Sequence, residues 1–250
     1  MKLSLPMAQT EWFDRPSVAL ASVFGSLFFF WVCSSAAIAQ TGASACGDLA
    51  IGRGTNEQPL DYRTNRARAE GSEAFHFTPE VEALIRGKSA EYIAADIDFI
   101  LRHFPNHPRA LVAMMRYAEK IKSPQPPKAS YTVECYFERA LRFQSDDNIV
   151  RMIYASFLSK NGRDADALRQ LEIVSATAGD NSFTHYNAGL IYLEMKQYDR
   201  ALARAHRAIE LGFPRSELKD RLKSAGQWSE PLEVVSVPAA PASDIPQTQK

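Results

Sequence analysis

The stretch Asn181–Phe213 has the pattern of two amphipathic helices joined by a short turn, with small residues where the two helices must touch. Ala188 and Gly189 are the small residues of the first helix. In the second helix, small residues recur at spacings of four and three and form one stripe: Ala201, Ala205 and Ala208. Because such a stripe lets a neighbouring backbone approach closely, the stretch predicts a helical hairpin with one buried seam.

The same pattern recurs along the chain. A shift of 34 residues places Gly189 on Ala155 and Ala201 on Ala167. A further shift aligns a third helix in the same register, although the first repeat then needs an insertion, Ser123–Ala129. The prolines of this insertion lack the N–H group that a helix requires, so it predicts a surface loop. A hairpin that recurs at a fixed period can bury its outer face against the next one, which predicts a stack of helix pairs.

A period of 34 residues is the tetratricopeptide spacing, and the chain resembles tetratricopeptide-repeat proteins over Ala90–Trp228. The residues that carry the likeness lie in the last repeat: Tyr186-Asn187-Ala188-Gly189-Leu190, Tyr192, Tyr198, Ala201-Leu202 and Ala208-Ile209-Glu210-Leu211. The resemblance implies an all-α, right-handed helix-hairpin solenoid. We expect a degenerate opening repeat with a short helix from Pro79 and a longer one over Ala90–Phe104, and a C-terminal capping helix over Glu217–Ala225.

Two further segments carry a second resemblance. Phe104–Leu111 reads FPNHPRAL, Glu134–Ala140 reads ECYFERA, and Cys46 is followed by Gly47. In these segments the chain resembles a family of exported bacterial tetratricopeptide proteins. The resemblance implies export, and it brings no biochemical activity with it.

The N-terminus has the layout of a secretory signal peptide. Pro16–Gly47 contains no charged residue, Val18–Val32 is a continuous apolar run, and the small residues of Ala37-Ile38-Ala39 follow it. This predicts a signal peptide over residues 1–39, cleaved after Ala39, and a periplasmic or otherwise exported protein. The alternative is an uncleaved anchor in the inner membrane, which would be the protein's one membrane contact.

The predicted mature chain contains two cysteines, Cys46 and Cys135. In an oxidising compartment they can form a disulfide that ties an N-terminal arm to the first repeat. The alternative is that Cys135 is an ordinary buried residue and that Cys46 is mobile. We predict an irregular arm over residues 40–77, the repeat domain with its capping helix over 78–228, and a disordered tail over 229–250.

The charge balance and the missing motifs exclude several functions. The chain has 29 Lys and Arg against 29 Asp and Glu, so it lacks the basic field that nucleic-acid binding needs. No catalytic or phosphate-binding motif is present, and we predict no enzymatic activity and no cofactor. Pro105 separates His103 from His107, His185 stands where tetratricopeptide proteins pack an aromatic residue between helices, and His206 is expected to point towards solvent, so we predict no metal site.

First helices line the concave side of a tetratricopeptide solenoid, according to the resemblance. Counting helix faces from the aligned small residues gives a mostly apolar groove with an amide and a cation near one end: Leu111, Met115, Met152, Ser156, Lys160, Phe183, Tyr186, Asn187 and Leu190. Such a groove suits an extended peptide or a partner helix. Asn187 matches the asparagine that contacts the ligand main chain in peptide-binding members. The alternatives are that Asn187 hydrogen-bonds a neighbouring helix and that Met115 and Met152 pack between repeats.

The sequence therefore predicts a non-catalytic interaction module of the bacterial cell envelope, with another envelope protein as its partner. The alternative is a structural subunit of an envelope assembly, for secretion, pili or polysaccharide export, that uses its convex and end surfaces.

Overall fold

All regular structure in the described part of the chain is helical. The computed structural model describes residues 46–51 and 57–231. The helices among them are α1 (Arg66–His76), α2 (Pro79–Glu82), α3 (Ile93–His103), α4 (Pro108–Ile121), α5 (Val133–Phe143), α6 (Asn148–Lys160), α7 (Asp164–Thr177), α8 (Ser182–Glu194), α9 (Tyr198–Glu210) and α10 (Glu217–Ser224). The prediction of an all-α fold is confirmed for these residues. No helix among them has the length and apolar character needed to span a bilayer. The predicted signal peptide, and the predicted tail beyond residue 231, lie outside the described residues.

Short connections pair the helices from α6 onwards. Only three residues separate Lys160 from Asp164, and three separate Glu194 from Tyr198, so each pair folds back on itself. Helix α6 packs against α7 and α8 packs against α9, while α4 contacts α6 and α6 contacts α8. The connection from α4 to α5 is longer, Lys122–Thr132, and it contains the predicted loop. The right-handed solenoid itself stays a prediction.

The small residues of the seam lie where helices touch. Ala155, Ala201 and Ala205 are buried. A Cβ atom on Gly189 would lie 2.4 Å from Cδ2 of Leu218, so any larger residue would have to displace the Leu218 side chain. Leu218 and Leu222 of α10 are both buried, and α10 packs on α8 and α9. The predicted capping helix therefore covers the last pair, and one hydrophobic core continues from Phe77 to Leu222.

We predicted an irregular N-terminal arm over residues 40–77. The structure instead has a helix in the second half of this arm. Residues 66–76 form α1, whose one buried residue is Ala69. Ala69 packs with Tyr62 and Phe104 in a small cluster of its own. The sequence of α1 contains few apolar residues, and the largest of them, Phe75, is exposed. The helix packs against α3, and we infer that this contact stabilises it. The sequence pattern did not predict this helix.

A disulfide and three arginines hold the first described segment, residues 46–51, on the helices. Cys46 is bonded to Cys135 on α5, with their Cα atoms 5.1 Å apart. The structure therefore has the predicted disulfide and not the alternative of two free cysteines. Three guanidinium groups donate to backbone carbonyls of the segment: Arg139 to Cys46 (3.1 Å) and Asp48, Arg142 to Gly47 (2.7 Å), and Arg102 to Ile51 (2.9 Å). These hydrogen bonds are made to the backbone of the segment, so they do not depend on its side chains.

A buried polar junction fastens the next segment of the arm. The backbone N–H of Tyr62 donates to Oδ1 of Asn106 (2.9 Å), and Nδ2 of Asn106 donates to Asp147 (3.0 Å) and to Asp61 (2.8 Å). Asp147 also accepts the backbone N–H groups that begin α6. Hydrogen bonds from Arg63 hold the pKa of Asp61 down at about 2. The arm, the α3–α4 connection and the start of α6 are thus joined at one point.

His107 begins α4 and is completely buried. Its Nδ1 accepts the backbone N–H of Ala110 (3.1 Å), so the ring proton is on Nε2, which donates to Glu73 of α1 (2.8 Å). Burial lowers the pKa of His107, while the hydrogen bond to Glu73 opposes that effect. The neutral imidazole is the form that both bonds require.

Removing the disulfide should destabilise the fold. For Cys46→Ala/Cys135→Ala we expect a loss of about 2–4 kcal/mol in the free energy of unfolding, because the bond closes a loop with a sequence separation of 89. Urea unfolding followed by circular dichroism measures it. Dithiothreitol should lower the unfolding midpoint of the wild type and leave that of the variant unchanged. A wild type that is insensitive to the reductant would contradict the prediction.

Stability should fall as the pH drops below about 6.5, because the unfolded chain, with an ordinary histidine pKa, takes up a proton before the folded His107 does. We compare the wild type with His107→Asn, which keeps an N-cap acceptor but cannot titrate. At pH 7.5 the variant should be about 1 kcal/mol less stable, owing to the lost bond to Glu73. The difference should shrink as the pH falls through the lowered pKa of His107. Urea unfolding at pH 7.5, 6.5 and 5.5 tests this, and a difference independent of pH would count against it.

Candidate interaction surface

Helix α6 leaves one stripe of side chains uncovered. Four of its exposed and half-buried residues recur at the spacing of one helix face: Ile149, Ile153, Ser156 and Lys160. The side chain of Ile149 is 40% exposed, which is unusual for an isoleucine in a helix that packs on both neighbours. The opposite side of α6, including Ala155 and Leu158, is buried in the core.

The stripe continues on the neighbouring first helices. On α8 it consists of Phe183, which is 48% exposed, with Asn187 and Leu190. On α4 it consists of Val112 and Arg116. We call the set the first-helix face: Val112, Arg116, Ile149, Ile153, Ser156, Lys160, Phe183, Asn187 and Leu190. Phe183 and Ile149 lie 34 residues apart and therefore hold the same position in successive helix pairs.

Two shallow depressions follow the lines where the first helices meet. One, of about 190 Å³, lies between α4 and α6 and is lined by Val112, Arg116 and Ile153. The other, of about 150 Å³, lies between α6 and α8 and is lined by Ser156, Lys160 and other residues. Each is large enough for one side chain of a partner, and neither encloses a small molecule.

Five of the nine predicted groove residues lie on this face: Ser156, Lys160, Phe183, Asn187 and Leu190. The amide of Asn187 is already used, because its Nδ2 donates to the backbone carbonyl of Phe183 one turn earlier (2.8 Å). This bond stays within α8, so it corresponds to neither the ligand contact nor the interhelical bond that we considered. The side chain of Asn187 remains half-buried at the surface.

The other four predicted residues are wrong as surface residues. Leu111, Met115, Met152 and Tyr186 are between 1% and 5% exposed and belong to the hydrophobic core. One residue along a helix turns the side chain by about 100°, and the prediction was displaced by that much at Leu111, Met115 and Met152, each of which directly precedes a residue of the face. The alternative that the two methionines pack within the protein agrees with their burial. We missed the neighbouring residues Val112, Arg116 and Ile153. The charge of Arg116, which follows Val112 by four residues, indicated that this side of α4 faces solvent.

The charges of the first-helix face are few. Nζ of Lys160 lies 3.5 Å from Oε1 of Glu119, and both side chains are about half exposed, so this ion pair is weak. Arg116 makes no ion pair or hydrogen bond with any residue in the described part of the chain, and its charge acts on Glu82 only at longer range, where it helps to lower the pKa of that carboxyl group. The nearby Arg109 is paired with Glu82. Arg116 is therefore the cation on this face that a partner can reach without breaking an existing contact.

The histidines that we considered as ligands have other contacts. Nε2 of His185 donates to the carbonyl of Gly179 (2.9 Å), and Nε2 of His206 donates to that of Ser229 (2.8 Å). A group of possible ligand atoms within reach of one ion does occur among the described residues, namely Cys46, Cys135 and Glu138. Its two sulfur atoms are joined in the disulfide, which leaves no thiolate to bind a metal.

Comparison with known proteins gives no relative to set beside this surface. No protein-family model, no curated protein and no solved structure matches the chain.

The assignment of the face can be tested with two adjacent residues of α6. Met152→Glu puts a carboxylate into the core and should cost on the order of 3 kcal/mol or more in the free energy of unfolding. Ile153→Glu, one residue further, should change it by less than about 1 kcal/mol because the new charge can reach water. Thermal and urea unfolding measure both. Equal destabilisation by the two variants would show that the face is misassigned.

Proposed function

We propose that this chain is a non-catalytic protein interaction module and that its first-helix face holds a segment of a partner protein. The observation that carries the proposal is the exposure of Ile149 and Phe183 at the same position of two adjacent helices. Large apolar side chains that recur in water along one face are typical of a surface that a partner covers.

The helix pairs, in this proposal, follow the tetratricopeptide arrangement and form a right-handed solenoid. The order in which α4, α6 and α8 contact one another supports this arrangement, as does the close approach at Gly189. In such a solenoid the first-helix face is the concave side, where successive first helices offer repeated shallow sites to one continuous ligand.

The chemistry of the face favours an amphipathic helix or an extended peptide that carries both apolar and acidic residues. Ile149, Ile153 and Leu190 can bury apolar side chains of the partner. Arg116 can meet a partner carboxylate, because none of the described acidic residues pairs with it. Apolar contact would supply most of the affinity, and the charge pair would set the direction of the bound segment.

The compartment that we propose is the bacterial cell envelope, with another envelope protein as the partner. The bond between Cys46 and Cys135 supports an oxidising compartment. The leader pattern of residues 1–39 supports export, by cleavage after Ala39 or by retention as an anchor.

A second candidate is a structural subunit of an envelope assembly that uses its other surfaces. Ile173 of α7 and Ile209 of α9 are 40% and 45% exposed on the second helices. These side chains give the outer layer apolar contacts of its own, which is the specific observation in favour of this alternative.

Site-specific photocrosslinking in the native host distinguishes the two functions. A benzoylphenylalanine at Ser156 should give one discrete crosslinked protein, and one at Gln170 of α7 should not. Ile153→Glu/Phe183→Glu should lower the yield at Ser156 at least tenfold, because a buried carboxylate in the contact costs several kcal/mol. The yield is read from immunoblots and the product is identified by mass spectrometry.

The control is Ile173→Glu, which places a single carboxylate at an exposed isoleucine outside the first-helix face. It should leave the yield at Ser156 unchanged. If the crosslink forms at Gln170 and is lost in Ile173→Glu alone, the interaction module is rejected and the structural subunit is favoured.

A further inference from the structure

A cavity of about 520 Å³ opens beside the first-helix face, at the end where the helix pairs turn. It lies between the C-terminal end of α4, the start of α5 and the α6–α7 connection. Apolar side chains form much of its lining: Met115, Ala118, Pro124, Val133 and Phe157. Its volume is within the range of sites that enclose a bound group, unlike that of either depression on the first-helix face.

The cavity exists because the first helix pair departs from the regular repeat. The turns after α6 and α8 take three residues each, whereas the connection between α4 and α5 runs over Lys122–Thr132. Residues near both ends of the long connection line the cavity, namely Lys122, Ser123, Pro124 and Thr132. A three-residue turn would be too short to form this wall.

The wall formed by this connection is rigid. The backbone N–H of Val133 donates to the carbonyl of Pro124 (2.9 Å). Ser130 donates through its N–H and its hydroxyl to the buried carboxylate of Asp98 (both 3.0 Å), and the hydroxyl of Tyr136 donates to the same carboxylate. Prolines within the connection restrict it further. The cavity is thus preformed, so a ligand would not have to order the loop on binding.

The charges at the rim are paired, with one exception. Glu134 accepts hydrogen bonds from Arg163 and from the hydroxyl of Tyr154 (3.0 Å), and Glu119 is paired with Lys160. Lys122 lines the cavity and makes no ion pair or hydrogen bond through its side chain with any residue that the structure describes. The interior is thus apolar, and the mouth has one available cation.

We propose that this cavity is the anchor pocket of the partner, taking one aromatic or long aliphatic side chain that stands next to an acidic residue. The apolar lining fits the side chain, and Lys122 fits the carboxylate beside it. The pair Lys160–Glu119 joins the rim of the pocket to the first-helix face, so one bound segment can reach both. The inference rests on the proposed function, and it names the residue type that would bind most tightly.

Two small probes of equal ring size and opposite charge test the pocket directly. We titrate the full chain, labelled with ¹³C-methyl methionine, with 3-indolepropionate and with tryptamine. The methyl signal of Met115 should shift and saturate with 3-indolepropionate at a concentration at least threefold lower than with tryptamine. No shift of that signal with either probe would overturn the proposal.

Ala118→Phe should fill the pocket and weaken 3-indolepropionate binding at least tenfold. Ala165→Phe makes the same change at an exposed position of α7 and should have no effect. Lys122→Glu changes a surface charge without touching the core, and it should reverse the preference between the probes. Unchanged binding in Ala118→Phe, or an unchanged preference in Lys122→Glu, would reject the pocket.

Failure of the pocket can be told apart from failure of the proposed function. Ile153→Glu/Phe183→Glu should lower the yield of the crosslink at Ser156 at least tenfold and leave binding of 3-indolepropionate intact. If the probes do not bind while that crosslink still depends on Ile153, the first-helix face remains and only the anchor pocket is lost.

Discussion

Close contact between helices through small side chains is the interaction on which the rest of this fold depends. At Gly189 the absence of a Cβ lets Leu218 of α10 enter, and at Ala155 and Ala201 a single methyl group keeps adjoining helices near. Close contact excludes water from the seam and strengthens the van der Waals attraction between the two helices. A helix pair that buries only its own seam still exposes a second apolar side to water. Packing that side against the next pair makes the core continuous, and it leaves two ends to be closed.

The two ends are closed by different physical means. At the C-terminal end α10 is a short amphipathic helix whose leucines cover the last pair. At the other end the arm contributes few apolar side chains, and it is held by a disulfide, by guanidinium groups on its carbonyls and by the junction at Asn106. Arg139 is 1% exposed there, and its Nε and Nη2 have no hydrogen-bond partner among the described residues. Burying a guanidinium this way is costly, and the covalent bond at Cys46 offsets part of the cost.

The two surfaces proposed for binding have different origins. The first-helix face keeps Ile149 and Phe183 in water because the first helices pack on one another through their other sides. The pocket at Pro124 arises because one turn out of three is long. A continuous core with rigid walls can present such a surface without reorganising, which lowers the entropic cost of binding.

Local patterns in the sequence were enough for the helices and their pairing. The stripe of Ala201, Ala205 and Ala208 predicted a seam because helix periodicity decides which residues share a face, and the prolines of Ser123–Ala129 predicted the loop because proline cannot continue a helix. The helix α1 could not be read this way, since its pattern has almost no apolar side.

The sequence by itself determined that this chain folds into paired helices with a closing helix at the C-terminus, because spacing, small residues and helix breakers act locally. Only the tertiary structure decided which side of each first helix faces water. Leu111 and Val112 differ by one residue and by little in hydrophobicity, so the choice between them depends on which neighbouring helix is close enough to bury one of them. The same holds for the pocket at Met115, whose walls come from α4, α5, α6 and the connections after α4 and α6, and these parts meet only in the folded chain.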